Sequence, residues 1–360
     1  MITNNLGLFI CSFLSLFVFR KVAIYINLVD VPNSRKHHAG SVPLVGGLAV
    51  FIVVFSYLLV FPGTISSSML YLGCASILLF VGLLDDLYDI SFRLRLLLQI
   101  VISGIMMFFG GLVLNNIGAI FGGSLVDLSY FGYVMTVIAV VGAINAFNMV
   151  DGIDGLLGAL ATITFSSLGI LFYLNNQQEL TAFCTAIVFA IVPYILMNLG
   201  IPLGQRFKVF MGDAGSTVIG FTVVWLLLEG SQSGKLSAFS PVTALWLAAI
   251  PIMDAVSTII RRIKKGQSPF QPDREHLHHI LQRLGLGSKM TLAVICSIAS
   301  LLASFGIIAQ IYDVPDYIMF YGFILCLIVY NQIMMNIWRF TVVIRRFVRV
   351  LKRQSKNKIE

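Results

Sequence analysis

The sequence predicts an all-α polytopic membrane protein with about eleven transmembrane helices, its N-terminus outside and its C-terminus in the cytoplasm. Three observations carry that expectation. The 360-residue chain is 58% hydrophobic and only 11% charged, against roughly 25% charged in soluble domains, so it cannot cover its surface in water. Its apolar residues fall in runs of about 20, the length a helix needs to cross the hydrocarbon core. Its basic residues gather between alternate runs, as they do in cytoplasmic loops.

The runs lie at 6–26, 42–62, 66–84, 94–114, 129–147, 155–174, 180–199, 213–229, 239–260, 291–311 and 317–338. No basic residue precedes the first, and Arg20 and Lys21 stand at its end, so it reads as an uncleaved anchor entering from outside. The inside segments are then 27–41, 85–93, 148–154, 200–212, 261–290 and 339–360. Every Lys and Arg except Lys235 lies in or beside one of them. Residues 1–338 form one multi-span catalytic domain with its site on the inside loops. Residues 339–360 form a basic cytoplasmic tail, whose Arg345, Arg346, Arg349 and Lys352 face anionic lipid. The net charge of +8 therefore points to membrane lipid and away from nucleic acid. The five cysteines all sit inside apolar runs with no C-x-x-C pair, and read as small buried hydrophobes.

The same map puts the polar chemistry on the inside. Asp85, Asp86 and Asp89 close the third run. If helix persists there, Asp85 and Asp89 share a face, and their repulsion calls for a divalent cation or for Arg93 or Arg95. Asn145, Asn148, Asp151, Gly152, Asp154 and Gly155 join the fifth run to the sixth. That is either a polar turn or a place where glycines let the backbone approach a ligand. Asp213 enters the eighth run before Ser216, placed to cap a helix or to bind a hard cation. The 261–290 loop carries Arg261, Arg262, Lys264, Lys265, Asp273, Arg274, Glu275, His276, His278 and His279. A surface loop, a zinc site and a diphosphate clamp are all open there; the missing cysteine pair weighs against zinc. Residues 32–47, with Arg35, Lys36, His37 and His38, are basic and turn-rich, fit to embrace phosphates.

Carboxylates, cations and glycine turns at one membrane face, without a Ser-His or Cys-His pair, suit Mg²⁺-assisted phosphoryl-type transfer. A membrane-embedded site implies a lipid substrate. An aromatic prenyltransferase would leave the histidine loop without a role. A transporter would need ionisable residues at helix midpoints, where Asp254 alone comes near.

At these residues the chain resembles the polyprenyl-phosphate N-acetylhexosamine 1-phosphate transferase superfamily, glycosyltransferase family 4, and within it the bacterial undecaprenyl-phosphate N-acetylglucosamine 1-phosphate transferases. The resemblance spans nearly the whole chain and rests on DVPNSRKHHAGSVPLVGG, LLDDLYD, NAFNMVDGIDGL, KVFMGDAGS and RRIKKGQSPFQPDREHLHH, in family order. It implies UDP-GlcNAc as donor, undecaprenyl phosphate as acceptor, UMP as product, and a cytoplasmic-face site in the bacterial inner membrane. The product would start O-antigen or enterobacterial common antigen glycans. It implies Mg²⁺, replaceable by Mn²⁺, on Asp213 with Asp85 and Asp86, and catalytic roles for Asp85, Asp86, Asp89, His276, His278 and His279. Lys36, Asn148, Asp151, Gly152, Asp154, Asn198, Arg261, Arg262 and Arg274 would bind substrate. The sister family that transfers phospho-MurNAc-pentapeptide has consecutive histidines; Leu277 interrupts them here, which favours a small N-acetylhexosamine donor. An oligomer is compatible with all of this.

Overall fold

The computed structural model describes residues 2–31, 40–269 and 275–336. Lys36, Arg274 and the basic tail lie outside the described residues. The helices are α1 (Ile2–Tyr25), α2 (Gly46–Val60), α3 (Ser68–Tyr88), α4 (Phe92–Gly110), α5 (Phe131–Met149), α6 (Leu156–Leu174), α7 (Gln178–Asn198), α8 (Gly212–Ser231), α9 (Pro241–Leu247), α10 (Ala249–Lys264), α11 (Leu277–Arg283), α12 (Ser288–Ile311) and α13 (Asp316–Met335). Helices dominate because a chain in hydrocarbon must satisfy every backbone N–H and C=O within itself.

Each expected run has a helical counterpart, with two corrections. Among the described residues nine helices are long and apolar enough to cross a membrane, and α9 with α10 makes a tenth. The 42–62 run is only the 15-residue α2, about 22 Å at 1.5 Å per residue and so short of a hydrocarbon core of about 30 Å. The 239–260 run is not one rod, because α9 and α10 meet at 85°. Ser240 caps α9, its side chain accepting from the Val242 N–H. The Leu247 carbonyl freed at the break accepts from the Thr164 hydroxyl of α6.

The bundle is organised around α8, which is buried along nearly its whole length, whereas α1 and α13 mostly face outward. α2, α3, α5 and α6 pack on α8. Small residues allow the approach, as is usual where helices meet in lipid. A Cβ on Gly47 would lie 2.1 Å from the Gly215 Cα, and one on Gly82 would lie 2.3 Å from the Ala214 Cα. Both contacts fall in the first turn of α8, so they bring the end of α3 and the start of α2 onto the residues around Asp213.

A short antiparallel pair forms between α1 and α2, β1 (Val29–Asp30) with β2 (Val42–Pro43). Its continuation is stitched to the segment before α8. Phe210 N–H donates to the Pro43 carbonyl at 2.8 Å, and Gly46 N–H donates to the Phe210 carbonyl at 2.9 Å. β1 and β2 are thereby anchored beside the Asp213 motif, a neighbourhood that linear distance conceals.

Candidate active site

Helix α8 begins with unsatisfied N–H groups, as every helix does. Asp86, reaching from α3, accepts from the Asp213 N–H at 2.8 Å and the Ala214 N–H at 3.3 Å. The capping role open to Asp213 thus belongs to Asp86, because Asp213 already lies inside the first turn. Gly212 makes the approach possible: its φ is +77°, and a Cβ there would lie 2.5 Å from Asp86 Oδ2.

Relieved of capping, the Asp213 carboxylate stands at the edge of the bundle with 43% of its side chain exposed. The Asn148 amide, at the end of α5, donates to Asp213 Oδ1 at 2.7 Å and to the Ser216 hydroxyl at 2.8 Å. Arg95 of α4 lies 3.4 Å from Asp213 Oδ2 and also pairs with the buried Asp85. Asp85 further accepts from the Ile90 N–H at 2.8 Å. Three carboxylates and one guanidinium, drawn from α3, α4 and α8, meet at one point.

Asp89 does not join them. α3 ends at Tyr88, and Asp89 takes a left-handed φ of 53° at the exposed C-cap, a conformation Asp tolerates. The shared helical face expected for Asp85 and Asp89 is lost with the helix.

The turn after α5 forms the next wall. Asp151 opens to solvent yet is crowded by protein. Desolvation by that crowding, with the negative charges of Asp213 and Asp154, pushes its carboxyl up to about 7. Asp154 is paired with Lys208 at 2.7 Å, a cation that sequence reading left among ordinary inside-loop charges. Asn145 faces away from the site and bridges α5 to α4 by donating to the buried Gln99 at 2.8 Å. Asn198, expected to bind substrate, is buried and occupied by backbone. It accepts from the Gly155 N–H at 2.5 Å and donates to the Val209 carbonyl at 2.7 Å. It holds the walls of the site together.

The histidine loop docks onto the same turn. A Cβ on Gly152 would lie 2.0 Å from His278 Nε2, so only glycine fits beneath that ring. His278 is 1% exposed and its Nε2 lacks a hydrogen-bond partner among the described residues. Burial, reinforced by His279 and His276, pushes it down to about 3. It is a neutral ring at pH 7, where the clamp reading called for a cation. Arg261 and Arg262 are likewise buried and tie the loop together. Arg261 pairs with Glu275 at 2.6 Å, and Arg262 donates to the Pro269 carbonyl at 2.5 Å. Of the predicted site residues, Asp85, Asp86, Asn148, Asp151, Gly152, Asp154, Asp213 and His278 are brought together.

Among the described residues no three His, Cys, Asp or Glu side chains form a closed metal cage. Mg²⁺ does not need one, since one or two carboxylates with water and substrate phosphates commonly hold it. Asp213 fits that use, being a half-exposed oxygen donor whose Oδ1 is anchored by Asn148.

Fold and site together define a multi-pass membrane protein with an acid-rich, phosphate-compatible site at one end of its helical bundle. The model of glycosyl transferase family 4 matches residues 68–231, the stretch from α3 through α8 that builds most of this site. The chain is 48% identical to a Yersinia pestis protein over 100% of its own length and 98% of the relative's. It is 47% identical to one from Escherichia coli K12, covering 98% and 95%. A Haemophilus influenzae protein is 43% identical, covering 97% of each. All three are named undecaprenyl-phosphate alpha-N-acetylglucosaminyl 1-phosphate transferase. The chain belongs to glycosyl transferase family 4.

Proposed function

We propose that this protein transfers N-acetylglucosamine 1-phosphate from UDP-GlcNAc to undecaprenyl phosphate, working at the cytoplasmic face of a bacterial inner membrane. The observation that carries the reading is the Asp213 carboxylate, open at the start of α8 and flanked by Asp85, Asp86 and Arg95. The full-length likeness to relatives of that name supports the sugar and the lipid. The excess of Lys and Arg in the predicted inside loops supports the orientation. Labelling a cysteine in the Lys235 loop from outside intact cells should succeed, and protection there would reverse the orientation.

In this reading an oxygen of the lipid phosphate attacks the sugar-proximal phosphorus of the UDP-sugar. The bond from that phosphorus to the bridging oxygen breaks, and UMP leaves. Asp213, with Asp85 and Asp86 beside it, would hold Mg²⁺, or Mn²⁺ in its place; the ion supplies neutralisation of diphosphate charge. Asn148 fixes the Asp213 carboxylate in one orientation. Asp86 locks the α8 terminus against α3, and Arg95 adds positive charge where the attacking phosphate approaches. Asp151, Gly152 and Asp154 form the nucleotide side, with Lys208 balancing Asp154. Such preorganised charge is the main source of rate in phosphoryl transfer.

The test is purified protein with Mg²⁺, undecaprenyl phosphate and a panel of UDP-GlcNAc, UDP-GalNAc and UDP-MurNAc-pentapeptide. UMP and a lipid-linked diphosphate sugar are expected from UDP-GlcNAc. UDP as the product would mean attack at the sugar carbon instead. Activity with UDP-GalNAc alone would change the sugar, and activity with the pentapeptide donor alone would reassign the enzyme within the family.

A further inference from the structure

An acid in the apolar part of a membrane bundle is expensive and calls for a reason. Asp254, in α10, is 1% exposed and accepts three hydrogen bonds. His276 Nδ1 lies 2.8 Å from its Oδ2, while the Tyr330 hydroxyl at 2.7 Å and the Leu277 N–H at 3.0 Å donate to its Oδ1. The partners come from two directions: His276 and Leu277 from the histidine loop, and Tyr330 from α13. A second contact, Ser257 to Asn331 at 3.0 Å, fastens α10 to α13 next to Tyr330.

The effect extends past His276. Its ring lies parallel to that of His278, 5.8 Å between centroids and 2° between planes, and His278 abuts Gly152 in the nucleotide wall. A run of side chains therefore leads from α13 through Tyr330, Asp254 and His276 to the site. In an imidazole–carboxylate pair, the bond at one nitrogen sets which nitrogen carries the proton and how the ring is turned.

We propose that Asp254 and Tyr330 are positioning residues for the transfer reaction: Asp254 holds the His276 proton on Nδ1, leaving the ring's remaining chemistry to Nε2, and Tyr330 holds Asp254 in place from the last helix. Neither residue touches substrate. The inference rests on the transferase reading above, since the loop so positioned seats His278 against Gly152 in the wall proposed for the nucleotide.

Asp254→Asn and Tyr330→Phe test it, each purified as the full chain and compared per folded molecule by size-exclusion profile. For Asp254→Asn, kcat/KM for UDP-GlcNAc should fall about 10- to 100-fold, as for other groups that orient a functional histidine, with the lipid acceptor's KM unchanged. The second readout is the His276 Nδ1–H resonance in ¹⁵N-histidine-labelled protein, assigned with His276→Gln. Asp254→Asn should move that proton upfield, because the neutral acceptor is weaker. Tyr330→Phe should move it downfield, because Asp254 loses a competing donor. Wild-type turnover in folded Asp254→Asn, or a resonance that moves the same way or not at all in both variants, overturns the proposal. If Asp254→Asn does not fold, the Tyr330→Phe shift decides alone. Failure of the wild-type protein to release UMP would instead count against the transferase reading, and the resonance would still report on the pairing.

Discussion

The two ends of the helical bundle handle their polar groups in opposite ways. At the end away from Asp213, polar side chains mostly bond backbone groups, with few ion pairs among the described residues. Gln232 accepts from the N–H groups of Asn115 and Asn116, Gln310 from Ser240 N–H, Asp316 from Ala119 N–H, and Asn175 donates to the Ala238 carbonyl. Even the buried Glu229 is engaged, by the Ser66 N–H at 2.6 Å and the Trp225 indole at 3.1 Å. At the Asp213 end, charges face charges, and carboxylates stand open beside cations. Fully satisfied polar groups rigidify a fold, whereas groups whose preferred partner is absent from the chain mark a place for a ligand. The first end is built to hold loops together, and the second gathers the charged groups that the proposed transfer would use.

The sharpest way to break that contrast is Asp213→Asn. It keeps size and the bond from Asn148 but removes the charge a cation needs. UMP release should fall at least about a hundredfold, on the order of 3 kcal/mol of transition-state stabilisation, with normal membrane insertion. Near-normal turnover at low Mg²⁺ would make Asp213 a purely structural residue. Gly152→Ala comes next, because the added Cβ must displace the buried His278 ring. Displacing a site wall by such a distance should cost about 10- to 100-fold in turnover, and an unchanged rate would show that the histidine loop does not need this seat.

A smaller effect separates the ends by pH. The Asp151 carboxyl is raised to about 7 in the folded protein, against about 3.9 in an unfolded chain. Its contribution to stability is therefore fully present below about pH 4 and is lost as pH rises through 7. Without divalent cation, wild-type protein should lose thermal stability between pH 5 and pH 8 relative to Asp151→Asn, as read by melting in detergent. Parallel melting curves at every pH would contradict the crowding around Asp151. The smallest effect on catalysis belongs to Glu229→Gln at the far end. It should lower stability by about 1–3 kcal/mol through a mismatched donor while the folded fraction turns over within about twofold of wild type. A large loss of turnover there would mean that the two ends are not separable.

Much of the acidic end was legible because lipid makes charge conspicuous: in a chain with so few charged residues, clustered acids at run ends stand out. Asp85, Asp86, Asp151, Asp154 and Asp213 were all visible this way. The division of labour among them was not. Asp86 caps α8 from another helix, and Asp89 turns away because α3 stops one residue earlier. The pairing of Arg95 with Asp85 was legible too, the two lying ten residues apart. Lys208 and Asp254 carried a signal, as a cation beside a motif and an acid in an apolar run, but have partners in Asp154 and Tyr330 that are 54 and 76 residues away. Arg261, Arg262 and Asn198 looked like ligand-facing groups and are buried struts, because burial depends on what packs over a loop.

The sequence by itself determined the solvent, the all-helical architecture and the set of residues available for chemistry. Those follow from composition, the length of apolar runs and the distribution of charge, which are additive properties of the chain. Only the tertiary structure decided that α2 falls short, that α9 and α10 break at 85°, and which carboxylate caps, which pairs with arginine and which stays open. Those outcomes depend on close approaches, Gly82 on Ala214 and Gly47 on Gly215, and on hydrogen bonds between groups 65 to 128 residues apart. A one-dimensional pattern does not encode such contacts, because they exist only once the helices have packed.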